Sequence, residues 1–154
     1  MCLSKMEGIT NRYIEDLMSK LPTNFKGVFS SDDIPLFTQS DVSFICNLSK
    51  RNEQGTHFIG VYISKNYIIY FDPFGLECYV QNICKYLQIY NRQIVHSLSM
   101  IQHPSSLHCG YFCIGFVLAM NNNYSISMYQ NIFNSKNLYL NDDIVCDFIV
   151  KMIV

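Results

Sequence analysis

The chain has 154 residues, 49% hydrophobic and 15% charged, which is one domain's length (residues 1–154) with enough apolar side chains for a core. Eleven Lys+Arg against twelve Asp+Glu, scattered to a net charge of −1, supply no cationic stripe for phosphates, so nucleic acid is not required. No apolar run reaches about 18 residues, and the opening Met-Cys-Leu-Ser-Lys-Met-Glu-Gly has no apolar centre; the expectation is a soluble intracellular chain that does not use a membrane.

Thr10 to Leu21 is predicted as the first helix. Thr10 is a fitting N-cap, Tyr13, Ile14, Leu17, Met18 and Leu21 share one face, and Pro22 closes it. Thr23 to Gln39 reads as irregular, punctuated by Gly27, Ser30-Ser31-Asp32-Asp33 and Pro35. Val42 to Leu48 is a predicted strand. His57 to Ile63 and Tyr67 to Asp72 are two more, joined in a hairpin by Ser64-Lys65-Asn66. Both hairpin strands are apolar on both faces, which places them inside a sheet covered by other layers. Leu76 to Tyr90 takes helical spacing through Val80, Ile83, Cys84 and Leu87, and Gln93 to Ile101 is extended. His108 to Met120 is a helix apolar almost all round, and Tyr124 to Phe133 a short one. Asn141-Asp142-Asp143 opens a last helix whose inner face is Ile144, Val145, Phe148, Ile149 and Met152. Three or four strands, with helices before, between and after them, predict an α+β layer fold.

The seven cysteines (Cys2, Cys46, Cys78, Cys84, Cys109, Cys113 and Cys146) are an odd set without tandem close pairs. That is unlike a secreted disulfide framework or a repeated Cys-x2-Cys zinc site. Most read as reduced thiols, buried as small hydrophobes in a reducing environment.

Three places carry chemistry. In a hairpin turning at Ser64–Asn66, His57 and Asp72 fall opposite or nearly so at the open end. Facing residues have Cβ atoms about 5 Å apart, which suits a carboxylate bonding an imidazole and stabilising its charged form. The Pro73-Phe74-Gly75 turn would hold that carboxylate at the strand terminus. The alternative is a surface histidine beside a turn-capping aspartate. Cys109 stands at the start of the apolar helix, where the dipole and free N–H groups favour thiolate. Gly110 would keep the backbone bare beside the sulfur. The alternative makes Cys109 one more buried thiol. Gln102, seven residues before Cys109, is either an amide donor for a developing oxyanion or a solvated loop residue. His108 points to a different face of the helix start and is not taken as the base. His96 and His103 read as ordinary strand and loop residues.

The order His57, Phe71-Asp72-Pro73-Phe74-Gly75, Gln102, Cys109-Gly110 resembles the adenovirus maturation protease (adenain) family, in the same clan as the SUMO/Ubl-specific proteases. The likeness runs from about Gly27 to Met120, with Gly55-Thr56-His57 and the Cys-Gly-aromatic-Phe-Cys run as further parts, and is closest in look to the proteases of adenovirus-like viruses and Polinton/Maverick elements. It implies a papain-like α+β fold with a central mixed, mainly antiparallel sheet packed against helices, and a nucleophile at the N-terminus of a buried helix. It also implies Cys109 as nucleophile, His57 as base, Asp72 as orienting acid and Gln102 in the oxyanion hole. Phe58, Gly110 and Tyr111 are expected to bind substrate, in a narrow groove that Phe58, Phe74 and Tyr111 would flank; the alternative makes these aromatics plain core residues. No metal or cofactor is expected. Adenoviral enzymes carry Glu where Asp72 stands and Trp where Phe58 stands; the SUMO branch has Asp.

The implied partners are capsid and core precursor proteins cut at Gly-containing sites, in the nucleus or cytoplasm of a host cell and in the virion. An activating peptide is also implied, although Asn91 to Ile101 holds no cysteine for a disulfide link to it. Ubiquitin/SUMO-like deconjugation after Gly-Gly uses the same four residues and stays open. Acyltransferase chemistry, a non-enzymatic binding module, and a zinc domain using His103, His108, Cys109 and Cys113 complete the alternatives.

Overall fold

A computed structural model describes residues 8–154; Cys2 lies outside the described residues. Helix α1 (Asn11–Ser19) starts where Thr10 Oγ1 accepts the Tyr13 N–H at 3.2 Å, and it buries Ile14 and Met18. Strand β1 (Phe25–Ser30) follows, inside the stretch expected to be irregular. Gly27, at φ 138°, sits where the register shifts between Phe25 and Val28. A bulge of this kind breaks the two-residue alternation by which a strand is read.

Strands β2 (Val42–Asn47), β3 (Phe58–Ile63), β4 (Tyr67–Phe71) and β5 (Gln93–His96) complete a five-stranded sheet in the order β1-β2-β3-β4-β5. The central pairs β2–β3 and β3–β4 are antiparallel, and the outer pairs β1–β2 and β4–β5 are parallel. The sheet is therefore evenly mixed where a mainly antiparallel one was expected. β5 runs parallel because the chain reaches it through helix α2 (Gln81–Ile89) rather than a hairpin. α2 starts later than the apolar spacing suggested, since Leu76 and Tyr79 face solvent. β5 likewise ends at His96, opposite Tyr70, and leaves Leu98 and Met100 exposed.

Helix α3 (Cys109–Asn121) is buried at every residue from Gly110 to Met120. It lies on one face of the sheet, where α1, α4 (Ile126–Asn131) and α5 (Asn141–Ile153) surround it. Phe116 of α3 stacks on Phe71 of β4, with centroids 4.8 Å apart and planes at 8°. The other face of the sheet is covered by α2 and by Ile34 and Phe37. Strands apolar on both sides require this double cover. Cys46, Cys78, Cys84, Cys109 and Cys113 are free thiols. Cys146, half-buried on α5 rather than inside the core, is disulfide-bonded, which departs from the reading of reduced thiols. Among the described residues no helix is long and apolar enough to cross a membrane.

Asn141 ties the start of α5 to the chain that leads into α3. Fully buried, it donates Nδ2 to the Ile101 carbonyl at 2.7 Å and the Asn134 carbonyl at 2.9 Å, and accepts the Asn134 N–H at 2.8 Å. Asn141→Ala leaves the buried Ile101 carbonyl and the half-buried Asn134 backbone groups unpaired, so urea denaturation should show a loss of about 3 kcal/mol. An unchanged midpoint would mean that these bonds hold nothing together.

Candidate active site

His57 immediately precedes β3 and Asp72 immediately follows β4. The observed register pairs Gly60 with Phe71 and Val61 with Tyr70. Continued past the strand ends, it sets His57 across from Phe74, with Asp72 diagonal to it on the same face. The imidazole accordingly stacks on Phe74, centroids 4.6 Å apart and planes at 17°. Its Nε2 donates to Asp72 Oδ1 at 2.8 Å.

Asp72 is completely buried, and a turn built from its own neighbours holds it. Oδ1 also accepts the Phe74 N–H at 2.8 Å, and the Asp72 carbonyl accepts the Gly75 N–H at 2.8 Å. The Asp72 N–H donates to Ser97 Oγ at 3.2 Å. Gly75 has φ 74°, and a Cβ there would stand 2.7 Å from the Met100 nitrogen. Only glycine serves here, for its left-handed backbone and for the approach of the 98–100 segment. That approach brings the Ile101 and Gln102 N–H groups onto the Pro73 carbonyl, each at 3.0 Å. The turn that fixes the acid therefore also fixes Gln102.

Gln102 is buried and lines the cleft. Its Nε2 donates to the Ser106 carbonyl at 2.9 Å, which uses one N–H of the amide, and its Oε1 has no partner among the described residues. Ser106 is fastened in turn. Its Oγ donates to Asp142 Oδ1 at 2.7 Å and accepts the His108 N–H at 3.1 Å. Cys109 is the first residue of α3, half-buried, after His108, whose side chain makes no cap. The first N–H groups of a helix have no partners within it and carry its positive end.

Burial alone would push the His57 pKa down. The Asp72 and Cys109 hydrogen bonds and charges outweigh it and raise the value from 6.5 to about 9. With Nε2 on Asp72, Nδ1 is the ring nitrogen left for the sulfur. The folded state thus favours imidazolium. Its stabilising contribution is complete below pH 6.5 and is lost as pH rises through about 9.

His57, Gln102 and Cys109 line one cleft of about 670 Å³, with Asp72 enclosed behind the imidazole. Phe58 and Phe74 line it too. Gly110 and Tyr111, expected beside the substrate, are elsewhere. A Cβ on Gly110 would stand 2.6 Å from Ile9 Cγ1, so its bareness admits the N-terminal segment. Tyr111 is buried edge-on to Tyr13, with centroids 6.4 Å apart. The helix turns by about 100° per residue, which carries the two residues after Cys109 into the protein.

The sequence reading missed Ile9, Thr10, Asn11, Arg12 and Asn47, which also line the cleft. Thr10 was visible only as a helix cap and Asn47 only as a strand end, and neither role announces a cleft. The residues of the zinc alternative do not converge. His103 stacks on Tyr139, the buried His108 faces Asp142, and Cys113 is sealed in the core. Among the described residues no three metal-binding side chains gather.

No protein-family model matches the chain, and no curated protein matches it. The structural likeness is clearer. The crystal structure of the ASFV pS273R protease superposes with a TM-score of 0.61 at 12% identity, over 96% of this chain and 67% of that one. A structure described as AvrA delL154 with IP6 and CoA gives a TM-score of 0.45 at 16% identity, over 89% of this chain and 54% of the other; that likeness is too slight to carry weight. The fold is the α+β, papain-like arrangement of the Ulp/SUMO-protease type.

Replacing Asp72 by Asn removes the charge that sustains the imidazolium while leaving burial in place. NMR titration of the His57 ring in Asp72→Asn should move from about 9 back toward, or below, the ordinary histidine value. An unmoved titration would show that Asp72 does not govern that proton.

Proposed function

We propose that this chain is a cysteine endopeptidase of the adenain-like kind, in which Cys109, His57, Asp72 and Gln102 perform acyl transfer. One observation carries the reading: a charged-prone imidazole lies between a buried carboxylate and a thiol that opens a helix, inside an open cleft. A histidine that only capped a surface turn would have neither the buried acid nor the sulfur.

The chemistry follows from the positions. The Cys109 proton rests on His57 Nδ1, and the thiolate attacks the scissile carbonyl carbon. Negative charge moves to the carbonyl oxygen, where the free N–H of Gln102 and the Cys109 backbone N–H receive it. The C–N bond then breaks as imidazolium protonates the leaving amine. Water, deprotonated by His57, attacks the thioester, releases the carboxylic acid and restores the thiol. Asp72 stays ionised throughout and holds the ring in orientation.

Capsid or core precursor proteins with Gly-containing sites are the substrates that suit this reading, inside an infected cell and in the virion. Phe74 and the edge of the largely buried Phe58 line the cleft, where aromatic walls suit a chain of small residues. The resemblance of the His57-to-Cys109 pattern supports these finer points, and so does the fold shared with a viral protease.

The test is incubation with candidate virion precursors. Wild type should cut them and Cys109→Ala should not. Gln102→Ala should keep KM and lose about 10²–10³-fold in kcat. Cleavage of a Gly-Gly-linked ubiquitin-like probe, with precursors left intact, would assign deconjugation instead. If Cys109 also reacts with iodoacetamide no faster than a buried thiol, the enzymatic reading fails.

A further inference from the structure

Away from the cleft, the structure brings two accessible sulfurs together. Cys78 lies between the Asp72–Gly75 turn and α2, and Cys84 lies within α2. Their Sγ atoms are 2.8 Å apart, both thiols are free, and both side chains are half-buried. A disulfide bond is about 2.0 Å long, so closing one takes roughly an ångström of movement. Cys46 and Cys113 differ in being fully enclosed; burial pushes the thiols of Cys46, Cys113 and Cys78 alike above the ordinary range. Burial and the Cys84 thiol push the Cys78 thiol up, and the buried Tyr70 hydroxyl opposes them by favouring its ionised form.

We propose that Cys78 and Cys84 are a reversible dithiol–disulfide site, oxidised by a small disulfide of the glutathione class. One protein thiolate attacks a sulfur of glutathione disulfide, forms a mixed disulfide and releases one glutathione thiolate. The second protein thiol gives its proton to solvent and attacks the protein-side sulfur of that mixed disulfide, expelling the second glutathione. The two cysteines lose two electrons and two protons, and the reagent is reduced to two glutathione thiols. The new bond fastens the segment leaving the Asp72 turn to α2. Nothing in this step depends on Cys109 or on the peptidase reading.

The experiment uses the folded full chain carrying Cys109→Ala, which removes the competing thiol of the cleft. It is equilibrated in glutathione redox buffers and mapped by peptide mass. The expected product is a peptide pair joined through Cys78 and Cys84, lighter by two hydrogens. The effective concentration of the pair should be at least about tenfold higher in the folded chain than in the urea-unfolded one, because geometry and not nearness in sequence brings the sulfurs together. Adding Cys84→Ser should stop the reaction at a glutathione adduct on Cys78, and adding Cys78→Ser should stop it on Cys84. Two reduced cysteines, two separate glutathione adducts in the otherwise intact pair, or equal effective concentrations folded and unfolded would each overturn the proposal.

Discussion

A carboxylate with no solvent exposure is the constraint around which this site is arranged. An ionised Asp72 in that position is costly unless donors and a counter-charge surround it. Two donors reach the same oxygen, the Phe74 N–H and the His57 ring. The backbone turn supplies the first without moving, so the imidazole has one place to go. Phe74 then stacks on the ring from the side. The acid, the turn and the aromatic together leave Nδ1 as the free nitrogen, directed by elimination toward Cys109. The raised pKa of His57 expresses that geometry: neighbouring anionic partners overcome burial.

From the same turn, support passes to the rest of the cleft. The Pro73 carbonyl holds Ile101 and Gln102, Asn141 holds the Ile101 carbonyl from α5, and Ser106 links Gln102 to Asp142. The segment from Ile101 to His108 has no regular structure of its own. It is instead pinned from β4 on one side and from the start of α5 on the other. Residues far apart in the chain thereby act as one support for the Gln102 amide and the first turn of α3.

Much of this was legible in the residues. The hairpin was read from two apolar runs around Ser64-Lys65-Asn66, and α3 from a run apolar on all sides. Placing His57 near Asp72 needed only antiparallel pairing and the position of the turn. β1 was not legible, because the bulge at Gly27 interrupts its alternation. Nor was the parallel pairing of β4 with β5, which arises from where α2 sets the chain down. Gly110 and Tyr111, weighed as substrate contacts, are buried instead, because helical rotation after Cys109 turns both residues inward.

By itself, then, the sequence determined the local chemistry: which strands pair through a short turn, which helix must be buried, and which sulfur meets a helix's positive end. These depend on spacing over a few residues, where periodicity and backbone preference act directly. Only the tertiary structure decided that Ile9 to Arg12 and Asn47 line the cleft, that α5 steadies Gln102, and that Cys78 meets Cys84. Each of those is a meeting of side chains whose positions follow from how whole elements pack, and no short-range pattern encodes that.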